Sequence, residues 1–220
     1  MFLAGYVFIL NLKQVAQRHL QRGNSFLAEF CQRHIFGYKL AACLLESSQS
    51  RVLYSDADVL WFSDPSITMK EYCKLPIYAA CDPLLSCDVS LLHIAEAYLG
   101  LSFRDPPFVN AGIAIYNSDP TESQNIDFLL ARVLEKETID NFSEQTIVTI
   151  LARTVGGLID SKDVFVGLAD TINHPPSYFG TDWVARHYIR PARHLFWSDC
   201  SVLFDSSLSR FFSGRIRPYC

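Results

Sequence analysis

The sequence is sparing with charge: 19% of its 220 residues are Asp, Glu, Lys or Arg, against 50% hydrophobic. A chain so apolar is not intrinsically disordered, which takes high net charge and few core-forming side chains. Nor do its basic residues gather. Nineteen Lys and Arg against 23 Asp and Glu leave a net charge of −4, without the basic footprint that duplex nucleic acid requires, and no nucleic-acid partner is expected. No apolar run is long enough to span a bilayer. The longest candidate, MFLAGYVFIL at 1–10, turns polar at Asn11, whereas a transmembrane helix needs about 20 apolar residues. That segment also lacks a basic start and a small-residue cleavage site, so it reads as a buried strand. The seven cysteines form no CxxC pair, which argues against a zinc framework. Odd in number and set among apolar neighbours, as in FCQRHIF and AACLL, they read as reduced structural thiols. A reducing, cytoplasmic location follows. Repeats, low-complexity tracts and linkers are missing as well, so 1–220 is read as a single domain.

What is present is an alternation of helix and strand periods. Residues 11–21 are helical, with Leu12, Val15, Ala16 and Leu20 on one stripe, and Phe26, Leu27 and Phe30 continue an apolar face. A helix over 35–46 carries Lys39 among Leu40, Ala41, Leu44 and Leu45. Residues 51–54 form a short buried strand, and Pro65 closes that unit. A strand is expected over 75–81, a helix over 88–99, a loop over 104–107 and a strand over 108–116, where Gly112 marks a bulge or a close backbone approach. A helix over 121–135 would start from a Thr121/Gln124 capping box. Another covers 143–153 and is broken by Gly156-Gly157. Short strands follow, then a rigid NHPP loop at 173–176 and an aromatic, loop-rich last third. The expected fold is α/β, a mixed sheet flanked by helices on both faces.

Within this alternation RVLYSDADVLWFSDP (51–65) stands out, because two acids interrupt an apolar run. On extended backbone, residues i and i+2 point to one side, so Asp56 and Asp58 present two carboxylates to one point. Such a pair is costly unless a cation or proton intervenes, and carboxylate oxygens suit Mg²⁺ or Mn²⁺. Mg²⁺ commonly shares its coordination with substrate phosphates. The plain reading, a solvated turn or helix cap, is weakened by the apolar runs on either side.

The stretch resembles the metal-binding DxD signature of GT-A fold glycosyltransferases, in the glycogenin-like group that uses nucleotide-diphospho-sugars. Three further blocks resemble that family in order: FVNAGIAIYNSD (108–119), SEQTIV (143–148) and HYIRPARHLFW (187–197). The resemblance implies a GT-A, Rossmann-like mixed sheet and a metal-dependent transfer of a sugar from a nucleotide-diphosphate donor, a UDP-sugar above all, to a hydroxyl acceptor, with retention of configuration. It implies Asp56, Asp58 and His187 as ligands of Mn²⁺ or Mg²⁺. Lys39, Ser55, Ala57, Ala111 and Arg193 are the implied donor contacts, and Asn110, Glu144 and Gln145 the groups at the reacting sugar. Arg193 stands where the family carries a lysine, and Glu144 where Asp is commoner. Phe196 and Trp197 are expected to be packing groups, and His194 is a rival to His187 as ligand. The region upstream of the DxD is shorter than the family pattern, so part of the base-binding region is expected to be missing.

Two other readings stand beside this one. A catalytically inactive fold of the same kind could act as a binding or scaffold module. A haloacid-dehalogenase-like phosphatase would use Asp56 as nucleophile and Asp58 as acid/base, with LIDSKD (158–163) as an imperfect match to its later motifs.

Overall fold

A computed structural model describes residues 10–167, 182–189 and 192–213. Helices α1 (Leu12–Gln21), α2 (Ser25–Arg33) and α3 (Ile35–Ser47) come first. Asn11 caps α1 by accepting the Lys13 N–H at 2.9 Å, and Gly23, at φ 84°, allows the turn into α2. The buried stripe of α1 is Val15, Ala16 and His19, while Leu12 and Leu20 are exposed. The expected stripe is thus shifted, because the His19 ring turns inward and donates from Nε2 to the Ala41 carbonyl at 2.8 Å. Phe26 is likewise exposed, and Leu27, Ala28, Phe30 and Cys31 are the buried residues of α2.

Strand β1 (Val52–Ser55) leads into the two aspartates and β2 (Val59–Trp61) leaves them. Pro65 does not close this unit but opens a further helix, α4 (Pro65–Glu71), with Asp64 accepting the Ser66 N–H. Proline is favoured at the first helical position, where no backbone donor is needed. Next come β3 (Ile77–Asp82), α5 (Val89–Leu99) and β4 (Phe108–Tyr116). The helix expected from 121 is shorter. Thr121 donates its hydroxyl to Asp119 at 2.6 Å in a 3₁₀ turn over Pro120–Glu122, so no capping box forms, and α6 spans only Asp127–Leu134. The chain continues as α7 (Ser143–Thr154), β5 (Gly157–Ile159), β6 (Val164–Val166), β7 (Ala185–His187) and α8 (Arg193–Ser213). The last of these is a 21-residue helix where a loop-rich stretch was expected. The strand expected at 1–10 falls, apart from Leu10, outside the described residues, as does the 173–176 loop.

The larger sheet has the order β1-β4-β3-β5 and the smaller β2-β7-β6. Both are mixed: β1/β4, β3/β4 and β2/β7 pair antiparallel, β3/β5 and β6/β7 parallel. Helical side chains such as Phe30, Leu44, Leu92, Leu130 and Ile147 pack with Ile77 and Ala114 on one face of the larger sheet. On the other face Ile113, Ile115 and Ile159 meet Val59, Val164 and Ala185 of the smaller sheet, with Met69 of α4 and Tyr72 beside them. Among the described residues no helix is long and apolar enough to cross a membrane.

Two details of pairing place the later chemistry. The β3–β4 register jumps, Ala79 facing Ala114 and Ala80 facing Asn110, so residues 111–113 arch away from β3. The Gly112 carbonyl in that arch accepts the Asp56 N–H at 2.8 Å. In the smaller sheet Val59 faces His187, and the Asp58 carbonyl accepts the Tyr188 N–H at 2.9 Å.

Candidate active site

These pairings bring together side chains 129 residues apart in sequence. Ligand atoms of Asp56, Asp58 and His187 all lie within 4.8 Å of one another. His187 Nε2 is 3.1 Å from Asp58 Oδ1 and 3.7 Å from Asp56 Oδ2. The other ring nitrogen, Nδ1, is 2.9 Å from Asn110 Oδ1. Asn110 is itself fixed: its amide nitrogen donates to Asp82 at 3.0 Å and its oxygen accepts the Gly112 N–H at 2.8 Å. That oxygen can only accept from His187, so Nδ1 carries a proton and Nε2 is the ring nitrogen that faces the two carboxylates. Three electron-rich groups converging in this way call for a cation, and an imidazole whose far nitrogen is hydrogen-bonded is the usual form of a metal-ligating histidine. The donor set, two carboxylates and one imidazole, fits a divalent ion such as Mn²⁺ or Mg²⁺. Asp58 is held as the anion, its pKa lowered to about 2 by the hydrogen bonds from His187 and Arg193 against the cost of burial. Arg193 Nε donates to Asp58 Oδ2 at 2.9 Å. His194, the rival ligand, is not part of this group.

Gly112 is required by this closeness. A Cβ at that position would lie 2.1 Å from His187 Cε1 and 2.8 Å from Asp56 Oδ2, so the expected bulge and the expected close approach are one feature.

Beside the acids lies a polar cavity of about 320 Å³, lined among others by Lys39, Asp82, Asn110, Glu144, Gln145 and Arg193. Lys39 reaches inward from α3, donating to the Ala111 carbonyl at 3.1 Å, with its Nζ 3.3 Å from Glu144 and 3.8 Å from Asp56. Its ammonium also sits 4.5 Å from the Tyr54 ring centre, and the Tyr54 hydroxyl is bonded to Asp56. Glu144, in the first turn of α7, is 3% exposed. Burial pushes its carboxyl up to about 7, with Lys39 pulling the other way. It is therefore not a solvated helix-terminal acid. Gln145 donates to the Ser86 carbonyl at 2.7 Å. Ala111 enters through its backbone carbonyl, its side chain being in the core.

A second cavity of about 440 Å³ is lined by Phe36, Asp56, Ala57, Asp58, Arg193, Phe196 and Trp197. Ala57 thus faces it, whereas Ser55 stands outside both cavities, its hydroxyl accepting the Trp61 indole N–H at 3.1 Å. Trp197, expected to be a packing group, meets Phe196 at 5.2 Å but is 75% exposed.

Asp82, Tyr54 and Phe36 belong to the site without having been singled out in the sequence. Asp82 had a signal, being the acid that ends the apolar strand IYAACD. The LIDSKD segment does not come to the acids. Asp160 pairs with Lys162, Asp163 accepts the Tyr72 hydroxyl, and neither lines the polar cavity. The later motifs that the phosphatase reading assigned to this segment are therefore not brought to Asp56 and Asp58.

No family model matches the chain, and no curated protein matches it. Among solved structures it is similar to the apo form of the glycosyltransferase GlyE of Streptococcus pneumoniae TIGR4, at 16% identity and a TM-score of 0.44. The similarity covers 92% of this chain and 54% of that one, so the chain spans about half the length of that protein.

Proposed function

We propose that the protein is a GT-A glycosyltransferase of the glycogenin-like kind, moving a sugar from a nucleotide-diphosphate donor, a UDP-sugar in the first instance, to a hydroxyl acceptor with retention of configuration. The observation that carries this reading is the Asp56–Asp58–His187 group, with His187 aimed by Asn110, at the wall of a polar cavity. These three residues would hold a divalent cation, Mn²⁺ or Mg²⁺, which neutralises charge developing on a departing diphosphate. Arg193, its side chain 68% exposed beside Asp58, is free to offer its fork to phosphate oxygens. Lys39 balances the charge of Asp56 and Glu144 from within. Asp82, Asn110, Glu144 and Gln145 present the mixture of donors and acceptors that a ring bearing several hydroxyl groups requires. The buried free thiols Cys31 and Cys43 suit the proposed reducing, cytoplasmic setting.

A donor-hydrolysis screen tests this without the acceptor. The protein is incubated with Mn²⁺ and a panel of nucleotide-sugars, and released nucleoside diphosphate is measured. Release from one donor, lost on chelation and in Asp58→Ala, is the expected result. If no donor is hydrolysed and UDP with Mn²⁺ leaves the melting temperature unmoved, the inactive-scaffold reading replaces it.

A further inference from the structure

The two cavities share Phe36, Asp56 and Arg193 but differ in kind. One is walled mainly by carboxylates, amides and an ammonium, with Phe36, Phe142 and Ile189 among them. In the other, three of the seven lining residues are aromatic: Phe36 from α3, Phe196 and Trp197 from α8. Between them lies the group suited to a cation. We propose that the aromatic cavity seats the base of the donor nucleotide, with the Trp197 and Phe36 rings as its stacking surfaces. This rests on the reading that the site takes a nucleotide-diphosphate sugar.

Three observations carry it. First, the Trp197 indole is 75% exposed and lines the cavity together with Phe36 and Phe196, so a planar ligand in the cavity has an open ring to stack on. Second, Trp197 is held and not merely hanging from the surface. It meets Phe196 edge-on at 5.2 Å, and Phe196 meets Tyr188 edge-on at 5.4 Å. The Tyr188 hydroxyl donates to buried Asp199 at 2.6 Å. A ring fixed before binding loses little entropy when a ligand stacks on it. Third, Asp58 and Arg193 line the same cavity, so a base seated there has its diphosphate beside the groups suited to hold it, and the sugar can reach the polar cavity across Asp56. Stacking is tolerant of base identity, because every base has a π-face, so both a purine and a pyrimidine are used as probes.

The experiment is calorimetric titration of the full chain, in Mn²⁺, with pyrophosphate, UDP and GDP. In the unaltered protein at least one nucleotide is expected to bind more tightly than pyrophosphate, by roughly 5- to 150-fold, the range that a stacked aromatic contributes. Trp197→Ala is expected to remove most of that margin and leave pyrophosphate binding unchanged, and Trp197→Phe to keep it. Pyrophosphate binding and the melting temperature report that the variants are folded. A margin that survives in Trp197→Ala, or no margin in the unaltered protein, overturns the proposal while the metal–diphosphate reading stands. If pyrophosphate fails to bind the unaltered protein in Mn²⁺, that underlying reading fails and this proposal with it.

Discussion

At the scale of single residues, Gly112 and Asn110 govern the geometry of the acids without themselves being acids. The arch over 111–113 brings the Gly112 backbone against both His187 and Asp56, leaving no room for a methyl group. Gly112→Ala must rotate the imidazole off Asn110 or lift the arch. It is expected to weaken Mn²⁺ binding by about tenfold or more, measured by titration followed by electron paramagnetic resonance. Unchanged affinity would mean that His187 is not a ligand. Asn110→Leu removes the acceptor that holds Nδ1–H and is expected to cost roughly 10- to 100-fold in Mn²⁺ affinity. The same titration checks it, and a melt separates a lost ligand from a lost fold. The acids themselves were legible in the sequence because an i, i+2 spacing on extended backbone fixes their relation locally. The link from Asn110 to His187 was not, since it joins strands of two different sheets that no local spacing relates.

At the scale of elements, α8 is the piece that sequence periodicity failed to reveal. Its apolar residues in RHLFWSDCSVLFDSSLSRFFS do not gather into one stripe, which is the signal by which amphipathic helices are recognised. Its start is attached by an apolar cluster of Leu195 and Phe196 with Tyr188 and Leu60, and by a buried polar contact. Arg186 on β7 is fully buried, 3.7 Å from Asp199 of α8 and stacked within 4.7 Å of the Tyr188 ring. Removing one partner of a buried ion pair leaves a desolvated charge. Asp199→Ala is therefore expected to lower stability by about 3 kcal/mol, read from urea denaturation, and to loosen Trp197 through Tyr188. A loss below about 1 kcal/mol would show that the pair behaves as a surface bridge. Pro65 is a second case of an element hidden by an ambiguous residue. A proline closes one segment or opens the next, and only the Asp64 cap, accepting the Ser66 N–H at 2.9 Å, decides between them.

At the scale of the whole molecule, the α/β alternation was readable, but the division into two sheets was not. β2, β5, β6 and β7 have three residues each, too few to show a period, and their pairing joins segments far apart in the chain. The helical layer was read with its stripe displaced, and His19 is the reason: a histidine counted as polar proved to be core. That burial has a consequence for the pH dependence of stability. Desolvation lowers the His19 pKa below 6.5, with the Ala41 hydrogen bond opposing and the Arg22 charge reinforcing the shift. The unfolded chain then binds a proton near pH 6.5 that the folded one refuses, so the contribution of His19 is present above 6.5 and declines as pH falls below it. Glu144 acts in the opposite sense over an overlapping window. Its raised pKa, about 7 against 4.5, means that the folded state keeps a proton the unfolded state releases, and stability gains as pH falls from 7 toward 4.5. Asp58, held to about 2, contributes in full above about 3.8 and loses that contribution only as pH falls below it, outside both windows. The net curve of the unaltered protein is therefore flattened by cancellation, and only a difference between variants isolates His19. Urea midpoints measured from pH 7.5 to 5 are expected to fall more steeply toward low pH in the unaltered protein than in His19→Gln. The difference has the sign of a proton taken up on unfolding, and one proton, about 1.4 kcal/mol per pH unit, is its upper bound. Parallel curves for the two proteins would show that the imidazole binds its proton alike in the folded and unfolded chains, and that burial does not shift it.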